Sequence, residues 1–274
     1  MTKTNNQYNE DIMTIIDAIH LGLRRGYNRN LQFRNKWVAF EDRMTEYLLT
    51  IHVANELHEY TEFGELTSIE LEYSLQAFYN NAFPEAIWTN ENQLFMDSEY
   101  LRREYEASAS QRRIDIAVMY DDRSGIFSNY RSLHGVEIKA INTSYVGVLS
   151  DVGRLSESMI TPADRTGTNS IVSCYSAFIK SYSNGKKPTR KTEIEGKRKQ
   201  TLDRIEMNLK DQFRDNPKYE GLEYTIHPCA VDSSSFEEYY EHHKDIPDFD
   251  LGWDPESETG EVLGVVIEIT RKKK

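Results

Sequence analysis

Two stretches decide the fold: Arg113-Ile114-Asp115-Ile116-Ala117-Val118-Met119-Tyr120 and His134-Gly135-Val136-Glu137-Ile138-Lys139-Ala140-Ile141. Both read as β-strands, because apolar side chains recur with a period of two. In the first, Ile114, Ile116 and Val118 face the core, which puts Asp115 on the opposite face. In the second, Val136, Ile138 and Ala140 form the apolar face, and Glu137 and Lys139 share the other. Asp121–Ser128 supplies turn residues between them. If the strands pair, one sheet face presents two carboxylates and an ammonium together. Two carboxylates make an oxygen-rich site for a hard divalent ion such as Mg2+. Such an ion binds a phosphate oxygen and makes a bound water more acidic. A lysine beside it orients that water or offsets charge developing on the phosphate. The chemistry that needs this trio is phosphodiester hydrolysis.

Outward from this pair, the pattern alternates between helix and strand. The spacing of Ile12, Ile15, Ile16, Ile19 and Leu23 predicts a helix over 11–25, ended by Gly26. A longer helix is predicted from about Lys36 to Tyr60, followed by a short alternating strand over Ile69–Tyr73. Residues 76–107 read as mostly helical, with a break near Pro84. A helix over Asp151–Met159, a buried strand over Ile171–Tyr182 and an exposed loop over Ser183–Gly196 come next. Then follow a helix over Lys197–Phe213, a strand over Leu222–Val231, an acidic irregular segment at 232–260, and a last strand over Val262–Ile269 ahead of the basic tail Arg271–Lys274. The order is that of an α/β protein with a mixed sheet.

The chain resembles the PD-(D/E)XK nuclease superfamily. The resemblance rests on Asp115, a hairpin and Glu137-Ile138-Lys139, within a strand similar to the superfamily's R-[IV]-D-[IV] pattern. Thr45-Glu46-Tyr47-Leu48-Leu49-Thr50 looks like the first core helix, and Asp151-Val152-Gly153-Arg154-Leu155 resembles the D-x-x-R-L start of the helix after the lysine strand. Asp115 follows Ile114 where the superfamily motif has Pro, and no Gln-x-x-x-Tyr motif is found.

The resemblance implies a restriction-endonuclease-like αβββαβ core, a mixed central sheet flanked by helices, over residues 36–182. Residues 1–35 are then an N-terminal helical extension, and 183–274 a C-terminal helix and strands packed on the core. It implies Asp115 and Glu137 as Mg2+ ligands, with Mn2+ able to substitute. The Ile138 carbonyl is a further ligand, Lys139 orients water or neutralises charge, and Glu46 is an additional metal or water ligand. Glu41 competes with Glu46 for that role. Glu72 is a further candidate if its strand joins the hairpin. Asp151 and Arg154 read as a helix-start ion pair or as groups near the substrate backbone. The implied activity is a DNA endonuclease of a bacterial or phage defence, restriction or genome-maintenance system. The alternatives are an inactive nucleic-acid-binding or assembly subunit with the same fold, and an RNA nuclease.

Composition narrows the setting. The 274 residues carry 33 basic and 45 acidic side chains, a net charge of −12. A protein that coats DNA by itself is basic, so affinity for nucleic acid must rest on a local patch, a bound cation, a homodimer or a partner subunit. The local excess lies at Lys180–Lys199: Lys180, Lys186, Lys187, Arg190, Lys191, Lys197, Arg198 and Lys199 are the candidate phosphate contacts, and Arg112, Arg113 and Arg131 lie near the hairpin. Two cysteines, Cys174 and Cys229, exclude a disulfide scaffold. Both read as core residues. Glu241-His242-His243-Lys244-Asp245 is a rival metal cluster, read more simply as acidic surface. No apolar run is long enough to span a bilayer, and the stretch MTKTNNQYNEDIM lacks the basic-then-apolar order of a signal peptide, so a cytoplasmic protein without membrane contact is expected.

Overall fold

The computed structural model describes residues 14–36, 42–60, 66–82, 112–122, 129–160, 169–182, 191–231 and 262–273. Its helices are α1 (Ile15–Lys36), α2 (Asp42–His58), α3 (Leu75–Asn80), α4 (Tyr145–Met159) and α5 (Lys191–Asp215). Its strands are β1 (Thr67–Ser74), β2 (Arg113–Asp122), β3 (Asn129–Lys139), β4 (Ser173–Ser181), β5 (Leu222–Ala230) and β6 (Val262–Arg271). They form one six-stranded sheet in the order β1-β2-β3-β4-β6-β5. Among the described residues only β3 and β4 run parallel; the other four pairings are antiparallel. A parallel pair needs a crossover, and α4 provides it. The chain is therefore mixed α/β, with helices on both faces of a mixed sheet.

Both faces are buried. On one, Ile116, Val118, Val136, Ile138, Tyr175, Ala177, Ile179 and Val266 pack against Ile19 and Leu23 of α1 and Leu49, Val53 and Leu57 of α2. On the other, Ala117, Met119, Cys174, Phe178, Val265 and Ile267 pack against Val148, Val152 and Leu155 of α4 and Ile205 and Leu209 of α5. This explains why the central strands read as nearly continuous apolar runs. It also corrects the expectation that Ile114, Ile116 and Val118 share one face. Ile116 and Val118 join the α1/α2 side, whereas Ile114 joins the α4/α5 side.

Element boundaries differ from the sequence pattern at informative places. Gly26 does not end α1; the helix runs on to Lys36. A Cβ on Gly22 would lie 2.4 Å from Val53 Cα, and one on Gly26 would lie 3.0 Å from Leu49 Cα. The two glycines, one turn apart, let the backbones of α1 and α2 come together. α4 starts at Tyr145 rather than Asp151, because Ser144 caps it by accepting from Gly147 N–H at 3.2 Å. α5 starts at Lys191, inside the segment expected to be loop. Arg271 is not part of a free basic tail: its guanidinium donates to the carbonyl of Ile171 and, at 3.1 Å, to that of Met159. Cys174 is buried as expected, while Cys229 on the outer strand β5 is only partly so. The helical reading of 83–107, the acidic segment 232–260 and the Glu241–Asp245 cluster lie outside the described residues.

Gly22→Ala tests the helix contact. Alanine is the better helix former by about 1 kcal/mol, yet the added methyl meets backbone. The variant is expected to lose about 1–3 kcal/mol of stability in urea unfolding. Unchanged or higher stability would contradict the close approach.

Candidate metal and phosphodiester site

The site begins where the sheet divides. β2 and β3 pair from Asp122↔Asn129 to Ile116↔Val136, across a bulge between Val118 and Met119, and there the ladder stops. Each strand keeps its other neighbour: Ile114 and Arg113 still pair with β1, and Glu137, Ile138 and Lys139 still pair with β4. The strands thus part at the level of Asp115 and Glu137. The parting leaves the Ile138 N–H without its β2 partner, and a buried N–H must find an acceptor. Asp115 Oδ2 is that acceptor, at 2.6 Å. The fork, not a flat hairpin face, is what sets Asp115 beside Glu137.

Helices close the site from both sides. From α2, Glu46 Oε2 accepts the Ala140 N–H at 3.2 Å, and its Oε1 lies 4.0 Å from Lys139 Nζ. From α4, Asp151 Oδ2 lies 3.2 Å from Lys139 Nζ, and Arg154 Nη2 lies 2.9 Å from Glu137 Oε1 and 2.5 Å from Asp151 Oδ1. The charges alternate along a chain: Glu137, Arg154, Asp151, Lys139, Glu46. Glu137 is 1% exposed and Asp151 3%. Asp151 therefore sits well inside α4 as a buried charge, not at a helix start. Its spacing from Arg154 was legible in the sequence; the reach of Arg154 to Glu137 was not.

The electrostatics are those of crowded carboxylates. Burial raises the proton affinity of Asp115 above the usual carboxylate range; its bond from Ile138 N–H and the charge of Lys139 oppose this, and the charge of Glu46 adds to it. Burial raises Glu137 much further, and repulsion from Asp115 and Asp151 outweighs the attraction of Arg154 and Lys139. Burial acts to lower the pKa of Lys139, but Asp151, Glu137, Glu46 and Asp115 together raise it above the ordinary lysine value. Lys139 is thus a fixed cation at neutral pH.

Three atoms of this network, Glu137 Oε1, Asp151 Oδ2 and Arg154 Nε, are buried without a hydrogen bond of good geometry, although the first two lie within ion-pair distance of a cation. Polar atoms left in this state call for water or an ion. Among the described residues no group of three or more His, Cys, Asp or Glu side chains is gathered tightly enough to hold a metal by itself. Mg2+ does not need one: it takes one or two carboxylates and keeps several waters. Asp115 and Glu137 fit that requirement.

The other candidates are placed as follows. Glu72 lies on β1 between the pairs Leu71↔Ile116 and Tyr73↔Ile114, level with Asp115, with φ 51. It is exposed, and it is not among the groups acting most strongly on Asp115. Lys197 pairs with Glu193 at 3.2 Å along α5, Arg198 is half-buried and Lys199 is exposed. Lys191 is the first residue of α5. Lys186, Lys187 and Arg190, like Glu41, lie outside the described residues.

The raised proton affinities fix a sign for stability. A carboxyl that holds its proton more tightly when folded supports the native state fully at pH below the ordinary carboxylate range. That support is lost as pH rises through the folded-state value. Asn at position 115 keeps an oxygen for the Ile138 N–H and removes the charge. Asp115→Asn is therefore expected to be more stable than the wild type by about 0.5–2 kcal/mol at pH 8 without divalent ions, with the gain vanishing near pH 3.5. Thermal unfolding at the two pH values measures this; a variant less stable at pH 8 would contradict the crowding.

Comparison with protein-family models, curated proteins and solved structures returns no match for this chain.

Proposed function

We propose that the chain is a Mg2+-dependent nuclease that hydrolyses phosphodiester bonds, with DNA as substrate and internal cleavage as its mode. The observation that carries this is the Asp115–Glu137 pair at the fork, with the ammonium of Lys139 fixed on the adjoining residue of β3. Among the described residues the element order α2-β1-β2-β3-α4-β4, apart from the short α3, is the αβββαβ order of a restriction-endonuclease-like core and supports that fold. So does the placement of Glu46 from α2 next to Lys139. Of the described helices, none is long and apolar enough to cross a membrane.

Asp115 and Glu137 would hold Mg2+ or Mn2+, with the Ile138 carbonyl and Glu46 as further oxygen donors. When bound, such an ion polarises the phosphate and makes a coordinated water more acidic. The chain's own residues do the rest. Lys139 remains protonated, so it acts as a cation and hydrogen-bond donor toward the phosphate or the attacking water, not as a base. Asp151 and Glu46 hold its Nζ in place. Arg154 steadies the buried carboxylate of Glu137. Water adds to phosphorus, the bond from phosphorus to one ester oxygen breaks, and that oxygen leaves with a proton. Cutting both strands of a duplex calls for two such sites, hence a homodimer or a partner subunit, in a cytoplasmic defence, restriction or genome-maintenance setting.

A second reading has one observation in its favour. Arg154 lies 2.9 Å from Glu137 and offsets part of the charge a metal would use. On that reading the chain is a nucleic-acid-binding or assembly subunit that does not cut.

Supercoiled plasmid incubated with the protein and Mg2+ or Mn2+ separates the two. Nicking or linearisation is expected, and EDTA abolishes it. Asp115→Asn and Lys139→Ala each lose about 100-fold or more with unchanged circular dichroism, while exposed Glu72→Gln stays within about twofold. Failure of the wild type to cut DNA while cutting RNA would reassign the substrate. Failure on both would favour the non-cutting reading. Retention of cutting in both the Asp115 and Lys139 variants would remove the site assignment.

A further inference from the structure

We infer that Lys180 and Arg204, gathered on the ring of Tyr145, form a seat for backbone phosphates of a DNA duplex beside the carboxylate site. The inference rests on the nuclease reading for the identity of the anion, but its geometry is independent. Tyr145 is the first residue of α4, Lys180 lies at the end of β4 and Arg204 on α5. Three separate elements thus bring their side chains to one place. Lys180 Nζ lies 5.6 Å and Arg204 Cζ 4.6 Å from the centroid of the same ring. Both distances are in the range of cation–π attraction.

Two cations on one ring repel each other, and among the described residues neither makes an ion pair with a carboxylate. Burial, and then the charge of Arg204, lower the proton affinity of Lys180. In a chain of net charge −12, two cations that meet no carboxylate among the described residues make a local inversion of sign. It is the arrangement an anion relieves, and phosphate oxygens are the anion that a flat guanidinium and an ammonium both take.

Its place points to the same substrate. Lys139 pairs in register with Phe178, two residues before Lys180 on the parallel neighbour, so Lys180 continues the same sheet face at the same end. The offset from Lys139 to Lys180 is about 5 Å across the strands and about 7 Å along them. A backbone held at Lys180 and Arg204 therefore runs past the carboxylate pair. The tyrosine is a positioning residue: its ring holds the two cationic heads together, and its hydroxyl is not required.

Binding of a fluorescein-labelled DNA duplex, followed by anisotropy across a salt series in EDTA, tests the seat with cleavage switched off. The Lys180→Gln/Arg204→Gln double variant is expected to bind about 10-fold or more weaker, with the slope of log affinity against log salt reduced by about 2. Tyr145→Leu, which keeps an apolar side chain against the core, is expected to weaken binding severalfold, and Tyr145→Phe to restore it. Thermal melting confirms that each variant folds. Wild-type affinity and salt slope in the double variant would overturn the seat, as would a wild type that binds no DNA or binds only an RNA duplex. Equal loss in Tyr145→Leu and Tyr145→Phe would remove the ring from it. A wild type that binds through these residues but does not cut would leave the seat standing and refute the nuclease reading alone. Cutting with unchanged binding in the double variant would do the reverse.

Discussion

One hydrogen bond organises the centre of this molecule: Ile138 N–H to the carboxylate of Asp115, at 2.6 Å. It exists because β2 and β3 stop pairing one residue earlier, and a backbone donor at a buried fork cannot go unmet. A side chain takes the place of a strand. The substitution brings a charged group into the interior beside Glu137, and every other charge nearby is arranged around that fact. Arg154, Asp151, Lys139 and Glu46 form an alternating chain from α4 to α2 that keeps the carboxylates from standing unopposed.

The compensation is incomplete, and the incompleteness is the functional signal. Both Asp115 and Glu137 hold protons more tightly than ordinary carboxylates, and Glu137 keeps a buried oxygen without a hydrogen bond. A fold selected for stability alone would place apolar residues here. A like-charged pair that a divalent cation would neutralise is the kind of local cost that proteins carry at sites of chemistry. The cations over the Tyr145 ring, which meet no carboxylate among the described residues, mirror it with opposite sign, one strand away. Electrostatic attraction of a polyanion by an acidic protein needs such a place.

Much of this architecture is legible in the sequence, for identifiable reasons. The strand period around Asp115 and Glu137-Ile138-Lys139 locates β2 and β3, and the shared side of Glu137 and Lys139 follows from alternation. What alternation cannot show is that the ladder ends at Ile116↔Val136, because pairing is a property of two segments at once. Local signals also mislead in a consistent way. Gly26 looks like a stop but serves a helix contact whose partner, Leu49, lies on another helix. Arg271 looks like a surface tail but closes carbonyls at the ends of two other elements. Arg154 and Tyr145 carry no marker of their own beyond a D-x-x-R spacing and a capping serine. Their roles come from what α4 is laid against.

Whether Asp115 and Glu137 together bind a divalent cation, as proposed, is decided by calorimetric titration with Mn2+ in two buffers of different ionisation heat. Because burial and crowding raise the proton affinity of both carboxyls, a cation entering the site competes with protons. Saturable binding to the wild type with proton release, strengthening as pH rises from 5.5 to 7.5, is expected, with loss of that site in an Asp115→Asn/Glu137→Gln variant of unchanged fold. Binding that survives in this variant, or a wild type whose Mn2+ uptake is no stronger than the variant's, would contradict it.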